Sequence, residues 1–275
     1  MPTYPDCSYV SVDDTNEPTG ASYIYCLAAE VRALKQGATI LATVESELIA
    51  GIVAPYYWAD TVLAMHMDGT DTSTDFIDEK DHTVTAAGSA AISTARSKFG
   101  GASALFDDTG NCLVPYSTDF NIGTNDFTIK GWCYKTTSGA ARAFFSLIDN
   151  SADSWNNRLF IGKTTEERLQ LVVYTAAGTQ IAITNPTPMP GGQWVHFLAC
   201  RIDGTYYLAE DGVFVASSSP ALITHDNSGV CIGNSYPGSL GWQGNVDDLE
   251  FIIHRTTLPQ PAIDFTPPTA AFKHP

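Results

Sequence analysis

The feature that most restricts the fold is a long succession of short runs in which apolar and polar residues alternate. From Thr61 onward about thirteen such runs are separated by Gly, Asn, Asp and Pro, as in TVLAMHM, DFTIKGWCYK, RAFFSLID and RLQLVVYT. A period of two residues predicts β-strands. No convincing helix pattern lies between these runs, which excludes βαβ units. A mostly β fold, an antiparallel sandwich of two sheets, is therefore predicted.

Two segments show how the sandwich should be built. In LAEDGVFVA, Asp211-Gly212 can supply the positive φ angles of a tight primed turn, so this segment predicts a hairpin. The run from Asp126 to Gly139, DFTIKGWCYKTTSG, has bulky side chains on both faces. Phe127, Ile129 and Cys133 are expected to face the core between the sheets, with Trp132 and Tyr134 on the opposite face.

The first 58 residues have a different pattern. Their apolar positions recur at steps of three and four, which predicts one helix, Ser22–Gln36, and the following ATILATV either continues it or forms a short strand. The apolar stripe is too short for an autonomous coiled coil, so we expect it to pack on a partner copy, a neighbouring protein or the sandwich. The chain thus divides into an anchoring or oligomerisation segment, residues 1–58, and a sandwich, residues 59–275.

Charge and hydropathy exclude several classes of function. The 275 residues include 14 Lys and Arg against 30 Asp and Glu, a formal net charge of −16, so a nucleic acid would be repelled over most of the surface. No apolar run approaches the roughly 18 residues of a membrane span, and the N-terminus lacks the basic and apolar regions of a signal peptide. We expect no membrane span and no conventional secretion signal.

The six cysteines do not form a metal-binding pattern. They are Cys7, Cys26, Cys112, Cys133, Cys200 and Cys231. None belongs to a CxxC motif or has a close histidine, which argues against zinc. Buried free thiols are the favoured interpretation. A disulfide between Cys200 and Cys231, or between the two N-terminal cysteines, is the alternative.

Several stretches in order carry a family resemblance. They include MHMDGTDTSTDFIDEKDHTV, KFGGASALFD, STDFNIGTNDFTIKGWCYK, GGQWVHFLACRIDGTYYLAEDGVFVAS, GWQGNVDDLEFIIHR and the closing DFTPPTAAF. Together they span roughly residues 61–273 and resemble the laminin-G-like, concanavalin A-like jelly-roll family in the form found in bacteriophage virion proteins. The resemblance implies a jelly-roll sandwich. The chain departs from relatives after LFD, where Asp108 stands in place of a glycine.

The resemblance also implies where a metal would bind. Jelly rolls of this kind often join the first and last strands through a calcium ion, and by resemblance Asp68 and Asp247 lie nearest such a site. Structural calcium is therefore the one cofactor expected, and none is certain. The alternative is that Asp68-Gly69 and the acids after it form turns and carry solvated charge.

Catalysis is not expected. Glycanases of this family carry a Glu-X-Asp-X-X-Glu array on one strand, and this chain has no such array. Its nearest counterpart, NVDDLEFIIH, offers Asp247, Asp248 and Glu250, of which the last two share a face. We predict no catalytic residues. Trp132 and Tyr134 are either structural or a stacking surface for a sugar or a protein neighbour.

These observations lead to a hypothesis of function. We expect a non-catalytic structural protein of a bacteriophage virion, a capsid decoration or head fibre, whose lectin-like sandwich binds surface glycans. It would contact other virion proteins through residues 1–58, form a homo-oligomer, with a trimer as the preferred state, and assemble in the host cytoplasm. The alternatives are a tail-fibre adhesin that recognises host sugar and a bacterial carbohydrate-binding module.

Overall fold

The computed structural model describes residues 35–36, 39–40, 58–149, 158–175, 180–219, 228–235, 239–253 and 264–273. From Thr61 onward these residues contain fifteen strands in two antiparallel sheets, together with a short 3-10 helix at Thr118–Phe120. The predicted two-sheet sandwich is thereby confirmed. Strands are numbered β1 to β17 in chain order, β1 and β2 being a short N-terminal pair.

The first sheet, here called sheet A, has seven strands. In spatial order they are β12 (Gln180–Thr184), β11 (Leu169–Tyr174), β10 (Leu159–Lys163), β9 (Arg142–Asp149), β16 (Ser228–Ile232), β7 (Asn111–Val114) and β4 (Thr85–Ala87). Neighbours at one edge are consecutive in the chain and form a meander. At the other edge β16 inserts between β9 and β7, so distant parts of the chain meet in this sheet.

The second sheet, sheet B, has eight strands. The main path runs through β15 (Val213–Ser218), β14 (Thr205–Glu210), β13 (Trp194–Ile202), β8 (Phe127–Lys135), β17 (Gln243–Ile253), β6 (Ser103–Asp107) and β5 (Ala91–Ser93), and β3 (Thr61–Met65) also pairs with β17. The eleven residues of β17 allow it to pair with three strands, β8, β6 and β3. This long strand ties the beginning of the sandwich to its end.

The core lies between the two sheets and is rich in aromatic side chains. Phe127, Ile129 and Cys133 of β8 are fully buried there, as the alternation in this strand predicted. Phe144 of β9 packs across the core on Phe197 of β13, with ring centroids 4.6 Å apart. Each aromatic pair of this kind adds about 0.5–1.5 kcal/mol to the burial of its surface.

The predicted hairpin joins β14 to β15. Asp211 has φ of 48° and Gly212 φ of 84°, and Glu210 pairs with Val213, which is the geometry of a primed two-residue turn. A side chain at Gly212 would also place its Cβ 1.9 Å from the backbone oxygen of Phe265. Glycine is therefore required here both by backbone conformation and by the segment that crosses the turn.

Four of the six cysteines lie in the described residues. Cys112, Cys133, Cys200 and Cys231 are all buried and all free, so the predicted free thiols are confirmed for these four and the alternative Cys200–Cys231 disulfide is wrong. Burial raises the pKa of Cys231 to about 12, which leaves its thiol protonated and unreactive at neutral pH. Cys7 and Cys26 lie outside the described residues.

The predicted helix Ser22–Gln36 lies outside the described residues except at its end. There Lys35–Gln36 forms β1 and pairs with Thr39–Ile40, β2, so the helix prediction is wrong for its last two residues. The β-branched Thr39 and Ile40 favour strand over helix. The chain division at residue 58 stays a prediction. In the described residues no helix has the length and apolar character to cross a membrane.

Candidate functional site

A β-bulge brings three carboxylates to the outer face of sheet B. The register between β17 and β8 shifts between Asp247 and Glu250, and Asp248 has φ of 50°. Simple alternation would place Asp247 and Asp248 on opposite faces, but the extra residue of a bulge rotates the strand. Asp247 and Glu250 consequently stand opposite the outward-facing Trp132 and Lys130 of β8.

Each of these carboxylates is held by the protein itself. Asp247 Oδ2 accepts hydrogen bonds from the backbone N–H groups of Lys98, at 2.6 Å, and Phe99, at 3.2 Å. Asp248 lies 2.9 Å from His66 Nδ1 and accepts a hydrogen bond from the backbone N–H of Phe272, at 3.1 Å. Glu250 pairs with Lys130 at 2.7 Å. These contacts make the acids anchors for loops and termini.

Asp247 belongs to a buried line of polar side chains, which we call the polar row. In register across three neighbouring strands lie Asp247, Trp132 and His196. Asp247 Oδ1, Trp132 Nε1 and His196 Nδ1 are buried and have no hydrogen-bond partner among the described residues. Orphan atoms of this kind are where proteins hold internal water.

Two side chains of the polar row, Asp247 and His196, have pKa values far from their ordinary ones. Burial, with contributions from the charges of Asp248 and Asp68, raises the pKa of Asp247 to about 7, although the two backbone N–H groups oppose the shift. Burial lowers the pKa of His196 to about 3, so its imidazole is neutral at physiological pH. Asp247 is thus the group in this row whose charge changes near neutrality.

The residues predicted to stack on a ligand are largely covered. Trp132 is 5% exposed, with Lys98 Nζ 3.7 Å from the centre of its ring and Phe99 edge-on at 6.0 Å. Tyr134 is partly exposed, but Arg96 lies over its ring at 4.9 Å and Trp194 packs against it at 5.6 Å. Both rings therefore serve mainly as packing surfaces for the segment Arg96–Phe99.

The predicted calcium ligands approach one backbone loop. Asp68 Oδ1 accepts a hydrogen bond from Ala102 N–H at 3.2 Å, and a Cβ on Gly100 would lie 1.8 Å from Asp68 Oδ2. Asp247 holds the same loop at Lys98 and Phe99. In the described part of the chain, no group of three or more His, Cys, Asp or Glu side chains is arranged to hold a metal. A calcium ion would need further oxygen ligands from the backbone or from water.

Residues 264–273, here called the C-terminal strap, lie across the outer face of sheet B. At one end Phe265 donates its N–H to Gly212 O, at 2.8 Å, and its ring lies 5.7 Å from His196. At the other end Phe272 stacks on His66, with ring centroids 3.9 Å apart. The strap therefore runs from the β14–β15 hairpin to β17 and covers this face.

The outer face of sheet A instead carries a pocket of about 420 Å³. Leu159, Ile161, Leu171 and Val173 point into the core, so alternation turns Phe160, Gln170 and Tyr174 outward. Gln180 lies opposite Tyr174 on the neighbouring β12. The pocket is thus floored by two aromatic rings, of Phe160 and Tyr174, and flanked by two amides.

The rim of this pocket comes from three connecting segments. Thr164 and Thr165 belong to the β10–β11 turn, Ala141 precedes β9, and Ser239 and Leu240 come from the segment before β17. Leu240 also packs against the cluster of Phe160, Ala143 and Val172 on the floor. None of the described side chains that line the pocket is charged.

An ion triad of two buried lysines and one partly exposed glutamate fixes part of this rim. Lys135 of sheet B and Lys163 of sheet A both contact Glu167 in the β10–β11 turn, at 2.6 and 3.1 Å. Glu167 also accepts a hydrogen bond from Gly139 N–H, and Lys163 Nζ donates to Ala140 O. The triad joins the two sheets and ties the turn that carries Thr164 and Thr165 to the segment that carries Ala141.

The protonation states in the triad are well defined. Burial alone would raise the pKa of Glu167, but hydrogen bonds from Lys135, Gly139 and Lys163 outweigh it and lower that pKa to about 2. Burial lowers the pKa of Lys163, and Glu167 opposes this shift. The carboxylate is thus charged at every pH at which the protein would be used.

The sandwich with its sheet-face pocket defines a lectin-like jelly roll. The model of the concanavalin A-like lectin/glucanases superfamily, Laminin_G_3, matches residues 106–261. This match covers more than half of the chain, so the protein belongs to that family and the predicted laminin-G-like, concanavalin A-like domain is confirmed. The resemblance to bacteriophage virion proteins stays a prediction. No protein of curated function matches the chain.

Solved structures share the fold at low sequence identity. Domain 4 of AbnA, a GH43 extracellular arabinanase from Geobacillus stearothermophilus in complex with arabinotriose, superimposes with a TM-score of 0.54 at 16% identity, covering 73% of this chain and 96% of that chain. The CBM40 of the Ruminococcus gnavus IT-sialidase, bound to α2,3 sialyllactose, gives a TM-score of 0.41 at 15% identity over 50% of this chain and 79% of that chain.

The pocket was not predicted from the sequence. Phe160, Gln170 and Tyr174 sit in runs whose alternation predicts the strands correctly, but which face lies open depends on loops far away in the chain. One sequence feature did indicate the pocket: aromatic and amide residues recur at outward positions of β10, β11 and β12. The acids of β17 drew attention instead because three carboxylates in four residues are uncommon on a strand.

Proposed function

We propose that the protein is a non-catalytic structural protein of a bacteriophage particle, of the capsid decoration or head-fibre type, whose sandwich binds glycans. The observation that carries the binding role is the uncharged pocket with an aromatic floor on sheet A. Its volume lies within the roughly 300–1,000 Å³ of small-molecule sites, and its lining combines two aromatic rings with amide and hydroxyl groups. The particle role extends the sequence resemblance to virion proteins.

The non-catalytic part of the proposal is supported by the carboxylates of β17. Asp248 is engaged by His66 and Phe272, and Glu250 by Lys130. The C-terminal strap also lies over this face, between the acids and any polysaccharide. Glycoside hydrolysis requires an acid and a base or nucleophile on either side of the scissile bond. We expect no reducing-sugar release from polysaccharides, and turnover abolished by Asp248→Asn would overturn this part.

Assembly in the host cytoplasm is supported by thiol chemistry and charge. The four described cysteines are free and buried, which suits a reducing compartment. A net charge of −16 would keep densely displayed copies soluble and apart. In this proposal residues 1–58 contact other virion proteins and form a homo-oligomer, with a trimer as the preferred state, while residues 59–275 face outward.

A second candidate is a carbohydrate-binding module of a bacterial enzyme system. It is favoured by the shared fold with domain 4 of AbnA, whose solved structure contains arabinotriose. A tail-fibre adhesin is a variant of the first proposal, in which the same pocket recognises a host-surface sugar. Both alternatives keep glycan binding by sheet A and change only where the protein is displayed.

Calcium is proposed as a structural ligand. Asp68 and Asp247 reach the same loop, and Asp247 Oδ1 is buried without a partner among the described residues. A cation there would neutralise the charge of Asp247 and join the segment after β3 to β17. The melting temperature measured with calcium chloride and with a chelator should differ, and the difference should vanish in Asp247→Asn.

Light scattering tests the display role. We expect the full chain to have the mass of a trimer and residues 59–275 to have that of a monomer, because the N-terminal segment is the proposed assembly device. If both species are monomers, the oligomeric display role fails, and the carbohydrate-binding module becomes the better proposal.

A further inference from the structure

We propose that the sheet A pocket binds one sugar ring of an electrically neutral glycan and discriminates against acidic sugars. This inference rests on the proposed glycan-binding function and names the class of sugar for that site. It follows from three features of the pocket: its aromatic floor, its amide and hydroxyl groups, and its lack of charge.

The floor offers a surface for the apolar side of a sugar ring. Phe160 and Tyr174 lie on neighbouring strands with ring centroids 6.5 Å apart and planes tilted by only 36°. Phe160 is 4% exposed and packed with Ala143 and Val172, so it supports the floor from below, while the partly exposed Tyr174 provides the ring face that a sugar can reach. A pyranose or furanose presents a patch of C–H groups on one side, which packs on such rings as other apolar surface does.

The walls offer the hydrogen bonds that a neutral sugar requires. Each amide of Gln170 and Gln180 has two donor hydrogens and an acceptor oxygen. The hydroxyl of Thr164 accepts from two backbone N–H groups of its own turn and can still donate, and that of Thr165 donates to Glu166 and can still accept. Sugar hydroxyls likewise both donate and accept, so a sugar ring that stacks on Tyr174 can reach polar groups along its edge.

The charge distribution selects against an acidic sugar. A carboxylate or sulfate is normally bound by an Arg or Lys, in charge-assisted hydrogen bonds. Lys163, below the rim, is already committed to Glu167 and to Ala140 O, and Arg158, whose charge acts on Tyr174, is only 2% exposed. The net charge of −16 adds a general repulsion of anions. An anionic sugar would therefore lose its hydration without gaining a counter-charge.

The turn that carries the threonines is held before any ligand arrives. Glu167 fixes this turn to Lys135, at the end of β8 in sheet B, and to the backbone N–H of Gly139, in the loop after β8. A site that is already ordered loses less entropy on binding. This supports a binding role for the β10–β11 turn.

The experiment is saturation-transfer NMR on the full chain with four separate probes: arabinotriose, maltotriose, lactose and 3′-sialyllactose, each at about 5 mM because single-ring sites are commonly weak. We expect transfer to at least one of the three neutral probes and little to 3′-sialyllactose. Tyr174→Ala should weaken binding about fivefold or more, as loss of an aromatic anchor does. Tyr174→Phe should keep it, because the ring remains.

Two controls separate the pocket from the rest of the surface. Gln170→Leu removes an amide from the floor with little change in volume, and should also weaken binding. Tyr116→Ala removes an exposed tyrosine, 40% accessible, that does not line the pocket, and should leave binding unchanged. Circular dichroism establishes that each variant is folded.

The possible results distinguish this inference from the function on which it rests. If a neutral probe binds equally to wild type, Tyr174→Ala and Gln170→Leu, the pocket assignment is wrong and glycan binding stands. If only 3′-sialyllactose binds, the neutral class is wrong and glycan binding again stands. If no probe binds to the wild type, both the inference and the glycan-binding function are overturned.

Discussion

The outer faces of the two sheets are built in opposite ways. Sheet B carries charged groups, among them Asp247, Asp248 and Glu250, and these are covered by the C-terminal strap and the segment Arg96–Phe99. Sheet A carries an uncharged pocket whose rim is fixed by buried charges lying beneath it, around Glu167. On sheet B the charged groups hold segments of the protein itself in place. On sheet A they support the rim of a pocket that stays open to a ligand.

The difference shows why a cluster of chemically reactive residue types is a poor guide to a site. Carboxylates, a histidine and a tryptophan meet on sheet B, yet their partners are backbone and side-chain groups of the same chain. Among the described residues, the pocket on sheet A is lined by Gln, Thr, Ser, Ala, Leu and aromatic side chains. Four predictions test this comparison.

The largest loss of stability is expected from a substitution in the ion triad beside the sheet A pocket. Glu167→Gln should lower the free energy of unfolding by about 3 kcal/mol, because it leaves the buried amino groups of Lys135 and Lys163 without a counter-charge. Urea unfolding measures this loss. Saccharide binding should fall as well, since the triad positions the pocket rim. The neighbouring Glu166→Gln is the matched control, and an equal loss in both variants would contradict the role of the triad.

The second largest change in stability is expected in the polar row on sheet B, and it depends on pH. The pKa of Asp247 is raised to about 7, so between its ordinary value and about 7 the folded state holds a proton that the unfolded state releases. The folded state therefore loses stability as the pH rises through this window. Asp247→Asn mimics the protonated form and, in buffer that contains a chelator to remove calcium, should stabilise the protein by about 2 kcal/mol more at about pH 8 than at about pH 5.

The control for this pH effect is Asp75→Asn, at an exposed residue whose backbone N–H donates to Ser73 Oγ. His196, whose pKa is lowered to about 3, has the opposite pH dependence, but it is present in both proteins and cancels in the comparison. A stability difference between Asp247→Asn and wild type that does not vary with pH would show that Asp247 is ionised in the fold throughout this range.

A smaller effect is expected in the C-terminal strap. Phe265→Ala removes a half-buried ring that packs on His196 and Phe214, and should lower the free energy of unfolding by about 1.5 kcal/mol. Saccharide binding should stay the same, because the pocket is on the other sheet. Thermal unfolding together with the NMR assay measures both quantities, with the exposed Thr269→Ala as control. Tighter binding after loss of Phe265 would place a site on sheet B instead.

The smallest change in stability is expected at Asp108, a residue other than glycine with a positive φ angle. It has φ of 87° and pairs with Arg142, close to the pocket rim. Asp108→Ala keeps the strained backbone and loses the ion pair, so we expect a loss of about 1 kcal/mol. Asp108→Gly loses the same pair but relieves the strain, and should change stability by less than about 0.5 kcal/mol. A glycine variant no more stable than the alanine variant would show that the backbone at position 108 is not strained.

Most of the fold was predictable because its strands follow a period of two. The run RAFFSLID matches β9, Arg142–Asp149, residue for residue, and Asp211-Gly212 forms the primed turn that its residue types favour. The strand Ala91–Ser93 was missed because three residues are too few to show alternation. The bulge at Asp247–Asp248 was also invisible, since a bulge is defined by the partner strand and not by the strand itself.

The site was less predictable because it depends on what covers each face. Trp132 and Tyr134 were correctly placed away from the core, but Lys98 and Arg96 cover their rings. These contacts join positions more than thirty residues apart, and no local pattern encodes them. The glycine at position 100 is a partial signal, because its φ of 63° and its approach to Asp68 allow the loop to fold onto this face.

Hydrogen–deuterium exchange on the full chain, without and with the neutral saccharide that gives the strongest saturation transfer, tests the central claim most directly. The account predicts slower exchange in β10, β11, β12 and the turn around Thr164, with no change in β8, β17 or the C-terminal strap. Slower exchange in β8, β17 or the strap, with sheet A unchanged, would show that the ligand enters the face that we describe as closed, and would contradict the account.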